Sequence, residues 1–200
     1  MFGFAGAQRT GKTTLAKAVA ERLGFHYHDA SVSRFAREYG VNAVGDLLML
    51  ERIMLQEYIL KRFVEEIHKA PRPAITDRTP LDMLAYMLGE VTMHNTAPEF
   101  HERIKKYADQ CLLETTRHFD LILALRPLPV YLADPDKPPL NRAYQSMVQM
   151  LIEGAAQNVD GVVCGVVTAT TLDARIVAAC TVFSDHMETL NEQRRRRTTH

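Results

Sequence analysis

Apolar and polar positions along the chain follow two different periods. Short apolar runs predict strands at MFGFA, AITD (74–77), DLILALR (120–126) and GVVCGVV (161–167), and FHYHD (25–29) alternates like a further strand. Longer segments, with apolar residues every three or four positions, predict helices over 12–23, 47–69, 81–88, 98–118 and 140–157, with a short helical piece in ASVSRFAREYG. The last helical pattern carries apolar residues at 172, 176, 180, 183, 187 and 190, and Thr170 with Asp173 resembles a capping box at its start. Gly24 and Gly40 read as helix stops, and RPLPVYLADPDKPP (126–139) reads as loop.

Strands alternating with helices predict an α/β fold with a parallel sheet covered on both faces. In such sheets ligands sit at the carboxyl ends of the strands, which selects the residues to inspect. The 47–69 helix has a wide apolar face that includes Met49, Ile53, Leu55 and Ile59. It predicts burial on more than one side, either within the core or against a second copy in a homodimer.

At 200 residues the chain is expected to form one domain over 1–191, followed by a basic polar tail over 192–200. Its formal net charge of zero supplies no global field for nucleic acid, though a local patch at Arg194, Arg195, Arg196 and Arg197 stays open. That run has three readings: a solvated tail, a dimer contact or a nucleic-acid contact. Cys111, Cys164 and Cys180 lack any C-x-x-C spacing and read as small buried hydrophobes in a reducing cytoplasm. No apolar run reaches the roughly 18 residues of a membrane span, and no signal peptide fits.

GAQRTGKTT, residues 6–14, fits G-x-x-x-x-G-K-[ST] between a strand and a helix. Glycines let backbone amides approach an anion at the positive end of a helix. Gly6, Ala7, Gln8, Arg9, Thr10, Gly11, Lys12, Thr13 and Thr14 are therefore the candidate ATP-binding residues. Lys12 is expected to reach the β- and γ-phosphates and Thr13 to ligate Mg²⁺. No N-K-x-D guanine motif occurs.

A second stretch, AITDRTPLDMLAYML, puts Asp77 and Arg78 at the carboxyl end of a buried strand. Asp77 is a candidate metal ligand or base, and Arg78 a candidate phosphate clamp. The plainer alternative is a surface pair beside the helix start at Thr79-Pro80.

GAQRTGKTT followed by DRTPLDMLAY resembles the nucleoside and nucleotide kinases of the phosphate-loop superfamily. D-R-x-x-x-D-x-x-A-Y is similar to the Asp-Arg motif of thymidylate kinases. It is closer to the NadR-like, AAA-type ATPase/kinase families, many of whose members are phage-encoded. HFDLILAL and ADPDKPPLNRAYQ continue the likeness. The resemblance implies a P-loop NTPase three-layer sandwich whose five parallel strands run in the order 2-3-1-4-5. It also implies ATP, Mg²⁺, a nucleoside-like acceptor and a lid around 133–142, and it places Thr168 to Thr170 at the adenine. Unlike thymidylate kinases, this lid has one arginine and one lysine in place of an arginine cluster.

For a hydroxyl acceptor the sequence offers Asp29 as general base, at the end of FHYHD; a turn or helix cap is the competing role. Arg34, Arg37, Arg126, Lys137 and Arg142 are candidate positive clamps, with Arg142 chosen as the one carried by the lid. Phe35, Tyr39 and Tyr86 are candidates for base stacking or for the core. His26 and His28 lack a third ligand and read as packing residues. The expectation is an ATP- and Mg²⁺-dependent kinase of a nucleoside, nucleotide or nucleobase hydroxyl. The alternatives are a kinase acting on a hydroxymethylated base within DNA and a non-catalytic ATP-binding switch.

Overall fold

The computed structural model describes residues 1–42, 45–91, 96–129 and 141–198, with side chains to 196. The five expected strands form as β1 (Phe2–Ala5), β2 (His26–His28), β3 (Ala74–Thr76), β4 (Leu121–Leu125) and β5 (Val163–Val167). All pair in parallel, in the order β2-β3-β1-β4-β5. The helices are α1 (Lys12–Leu23), α2 (Val32–Tyr39), α3 (Met49–Lys69), α4 (Pro80–Leu88), α5 (His101–His118), α6 (Arg142–Ala156) and α7 (Leu172–Thr198).

The period of two along each strand sorts side chains between two cores. Phe2, Phe4, Leu121, Leu123 and Leu125 join α1 and α7 through Leu15, Val19 and Phe183. Ala5, Ile122 and Ala124 join the other layer, where Ile53, Phe63, Leu84, Ile104 and Val148 come from α3 to α6. The result is the three-layer sandwich that the strand–helix alternation predicts.

As expected, α3 is buried on more than one side, against α2, α4 and α5, while Leu50 and Met54 remain exposed. Two details differ from the sequence reading. Of the cysteines, Cys111 is buried, whereas Cys164 and Cys180 are half-buried. Finally, α7 continues to Thr198, through the arginine run. Arg194, Arg195 and Arg196 are exposed on that helix; the side chain of Arg197 lies outside the described residues.

Phe183 is fully buried, with its ring 4.9 Å from that of Phe2 and 5.3 Å from that of Phe4. Phe183→Ala should cost about 3–5 kcal/mol of stability, read by denaturant unfolding. Val177→Ala on the same helix, at a side chain 54% exposed, should stay within about 0.5 kcal/mol.

Candidate active site

Strand register decides which residues meet at the carboxyl edge. His28 pairs with Thr76 across β2 and β3, so the next residues, Asp29 and Asp77, stand at the ends of adjacent strands. Between β1 and α1 the phosphate loop crosses the same edge. Gly6 has φ 154°, and a Cβ there would lie 2.9 Å from the Leu125 carbonyl oxygen, so only glycine lets β1 turn beside β4. Gly11, at φ 82°, begins α1 without a side-chain cap, and Arg9 holds φ 63° inside the loop. The first turn of α1 also lacks an acidic residue. Its amides thus form a candidate anion site at the positive end of the helix dipole.

Lys12 is buried beneath the loop. Its Nζ donates to the carbonyls of Gly6 at 2.5 Å and Ala7 at 2.8 Å, and lies 3.7 Å from Asp82 Oδ1. Burial, with Arg78 nearby, pulls its pKa down to about 7, while Asp82 and Asp77 oppose the fall. Asp82 is 1% exposed. Its Oδ1 accepts the Gly6 N–H at 3.1 Å and lies 4.0 Å from Arg78 Nη1. Its Oδ2 accepts the Thr79 N–H at 2.9 Å and the Thr79 hydroxyl at 2.8 Å, closing a capping box on α4. Burial raises the pKa of this carboxyl against the pull of Lys12 and Arg78.

The loop is braced from α6 as well. Gln149 Oε1 accepts the Ala7 N–H at 3.1 Å, and Gln145 Nε2 donates to the Gln8 carbonyl at 2.8 Å. Tyr86 donates to Gln8 Oε1 at 3.3 Å. Thr10 is buried and bonds back to the Ala7 carbonyl at 3.1 Å, whereas Thr13 and Thr14 are exposed.

Thr13, Asp29, Asp77 and Arg78 line one cleft of about 200 Å³, together with Lys17, Tyr27 and residues 30–33. The Thr13 hydroxyl donates to Asp77 Oδ2, while Asp77 Oδ1 is buried without a partner. A hydroxyl beside a carboxylate with an unsatisfied oxygen is a hard-oxygen donor set, which fits Mg²⁺. The helix start at Thr79-Pro80 coexists with this placement: Thr79 caps α4, leaving Asp77 and Arg78 on the cleft. Asp29 is exposed and does not cap α2; Ser31 does, accepting the Arg34 N–H at 3.3 Å.

Other expected residues fall elsewhere. Arg34 forms a two-pronged pair with Glu66 of α3, at 2.8 Å through each nitrogen, so it is committed to the α2–α3 contact. Arg37 is exposed. Phe35 is fully buried in the core and offers no stacking face, and the half-buried Tyr39 packs on Tyr58, ring centres 5.0 Å apart. Tyr86 keeps its place near the loop, with the Arg78 guanidinium carbon 5.9 Å from its ring centre. Arg126 is exposed and pairs with Glu153 of α6 at 3.3 Å. Arg142 opens α6 as an exposed residue behind the Asn141 cap and is not drawn to the loop. Lys137 and the 133–140 part of the expected lid lie outside the described residues. His26 is exposed and His28 half-buried on edge strand β2, and no metal-binding cluster of histidine, cysteine or carboxylate residues occurs among the described residues.

Sequence reasoning carried Asp82 only as the second aspartate of D-R-x-x-x-D-x-x-A-Y, without a role, and missed Gln145 and Gln149. The glutamines carried no signal, since they reach the loop only through tertiary packing of α6.

A family model described as an AAA domain matches residues 2–159. No curated protein matches the chain in sequence. Among solved structures, deoxyadenosine kinase from M. mycoides with bound dCTP is 17% identical, with a TM-score of 0.67 over 92% of this chain and 100% of that one. Thymidylate kinase from Candida albicans is 15% identical, with a TM-score of 0.64 over 93% and 91%. The YorR protein from Bacillus subtilis, in complex with phosphorylated GDP, is 14% identical, with a TM-score of 0.51 over 94% and 96%. The fold is that of the P-loop nucleoside and nucleotide kinases, with the strand order expected from the resemblance.

Removing Asp82 strands a buried lysine and two backbone amides, and takes the carboxylate from the partly exposed Arg78. Asp82→Ala should therefore cost about 3–5 kcal/mol in denaturant unfolding. Asp29→Ala, at an exposed position, should change stability by no more than about 0.5 kcal/mol.

Proposed function

The chain belongs to the AAA-domain family, and from that premise we propose that it is an ATP-dependent kinase of a nucleoside, nucleotide or nucleobase hydroxyl. The observation that carries the reading is the shared cleft: Thr13 from the phosphate loop, Asp77 and Arg78 after β3, and Asp29 after β2 line one space. A donor-phosphate site, a metal-binding pair and a free carboxylate then stand within reach of one acceptor. The kinases of known structure that share the fold support the same class of reaction.

In this reading the polyphosphate of ATP lies on those amides of the 6–14 loop that Asp82 and Gln149 do not already hold, with Lys12 leaving the carbonyls it now contacts to meet the β- and γ-phosphates. Thr13 and Asp77 would hold Mg²⁺, which when bound neutralises phosphate charge. Asp29 accepts the proton of the acceptor hydroxyl as its oxygen attacks the γ-phosphorus. The bond from that phosphorus to the β,γ-bridging oxygen breaks, and ADP leaves. Arg78, anchored beside Asp82 and Tyr86, steadies charge on the transferring group. Arg142, at the start of α6, is a further candidate cation.

The test is a panel of nucleosides, nucleoside monophosphates and hydroxymethyluracil-containing DNA, incubated with γ-labelled ATP. Label is expected in a small acceptor. Asp29→Asn should lower turnover by about 10²-fold or more, with ATP affinity within about twofold of the parent. Label appearing only in the polymer would move the activity to DNA. ATP binding with no acceptor-dependent turnover would make the protein a nucleotide-binding switch.

A further inference from the structure

Arg175 lies in the first turn of α7 and is 3% exposed. Its guanidinium reaches three backbone carbonyls in three separate places. Nη1 donates to Thr10 of the phosphate loop at 2.6 Å, Nη2 to Arg126 just past β4 at 2.7 Å, and Nε to Ala169 in the turn after β5 at 2.6 Å. Nη1 also lies 3.8 Å from where a Cβ on Gly11 would stand, directly against the start of α1. Among the described residues no carboxylate comes within ion-pair distance of it. A buried cation held only by carbonyls is costly and persists where its planar fork satisfies several acceptors at once. An ammonium group, lacking that fork, would not serve three diverging carbonyls in the same way.

The location of the acceptor cleft gives this tie a direction. Asp29 and Asp77 occupy the β2–β3 side of the phosphate loop. A nucleotide whose phosphates lie on the loop therefore extends its nucleoside toward the opposite side, past β4 and β5. Arg126 and Ala169 stand there.

We propose that Arg175 is a positioning residue for the nucleoside end of the donor. It fixes the phosphate loop in register with the turns past β4 and β5, so that a single nucleotide spans all three. This rests on the reading of the 6–14 loop as the ATP site. Inorganic tripolyphosphate uses the loop alone, whereas ATP uses the loop and both turns, so the ratio of their affinities reports the register.

The experiment measures binding of Mg-ATP and of Mg-tripolyphosphate by calorimetry to the full chain and to Arg175→Lys and Arg175→Met. The parent should prefer ATP. Arg175→Met should weaken ATP about tenfold while weakening tripolyphosphate by no more than about threefold, and Arg175→Lys should fall between. A ratio equal to the parent's in both variants, whether both probes weaken together or neither does, overturns the proposal and leaves Arg175 a plain structural tie. If Arg175→Met does not fold, the Arg175→Lys ratio decides on the same criterion. A parent that binds neither probe refutes the ATP-site reading and the proposal together; a parent that binds both, with an unchanged ratio in the variants, refutes only the role of Arg175.

Discussion

Asp82 holds two backbone amides and neighbours two cations from a position almost closed to water. One of its oxygens fixes the Gly6 N–H, and the other fixes the start of α4 through Thr79. Lys12, from α1, and Arg78, four residues before Asp82, approach the same carboxylate oxygen. A buried carboxylate is tolerated only when such partners satisfy it. Because they do, the loop after β1 and the Asp77–Arg78 turn after β3 are built around one common point. Without that anchor the anion site and the candidate metal ligands would be set independently.

The parallel sheet supplies the rest of the alignment. Pairing of β2 with β3 brings Asp29 level with Asp77, and pairing of β4 with β5 ends Leu125 level with Val167. One flank of the phosphate loop thus carries the carboxylates, and the other carries the turns gathered by Arg175. In the proposed reaction the two flanks would receive donor and acceptor from opposite sides of a shared phosphate position, the arrangement an in-line transfer needs.

Much of this was legible in the chain because the signals are local. Four apolar runs and one alternating segment, separated by helical periods, defined the layers, and the 6–14 glycine spacing defined the loop. Asp29, Asp77 and Arg78 could be placed because residues that follow strands of a parallel sheet share one edge. Arginines were harder to place. Arg34 and Arg126 looked like clamps, yet each has a glutamate partner on a helix distant in sequence, Glu66 and Glu153 respectively. Whether an arginine faces a ligand or another helix depends on packing that no spacing rule encodes. Arg175 drew no notice for the same reason: its partners are main-chain carbonyls, which leave no trace in side-chain patterns. The course of α7 through the arginine run was hidden because a charged, exposed helical end has no apolar stripe.

The central claim is that the amides around Gly11, with Lys12 released from the Gly6 and Ala7 carbonyls, receive the phosphates of a nucleoside triphosphate. Calorimetric titration of Mg-ATP into the parent protein and Lys12→Ala tests it most directly. The account predicts one saturable site in the parent and an affinity at least about tenfold weaker in the variant. Absence of binding to the folded parent, or binding of equal strength to both, would contradict it.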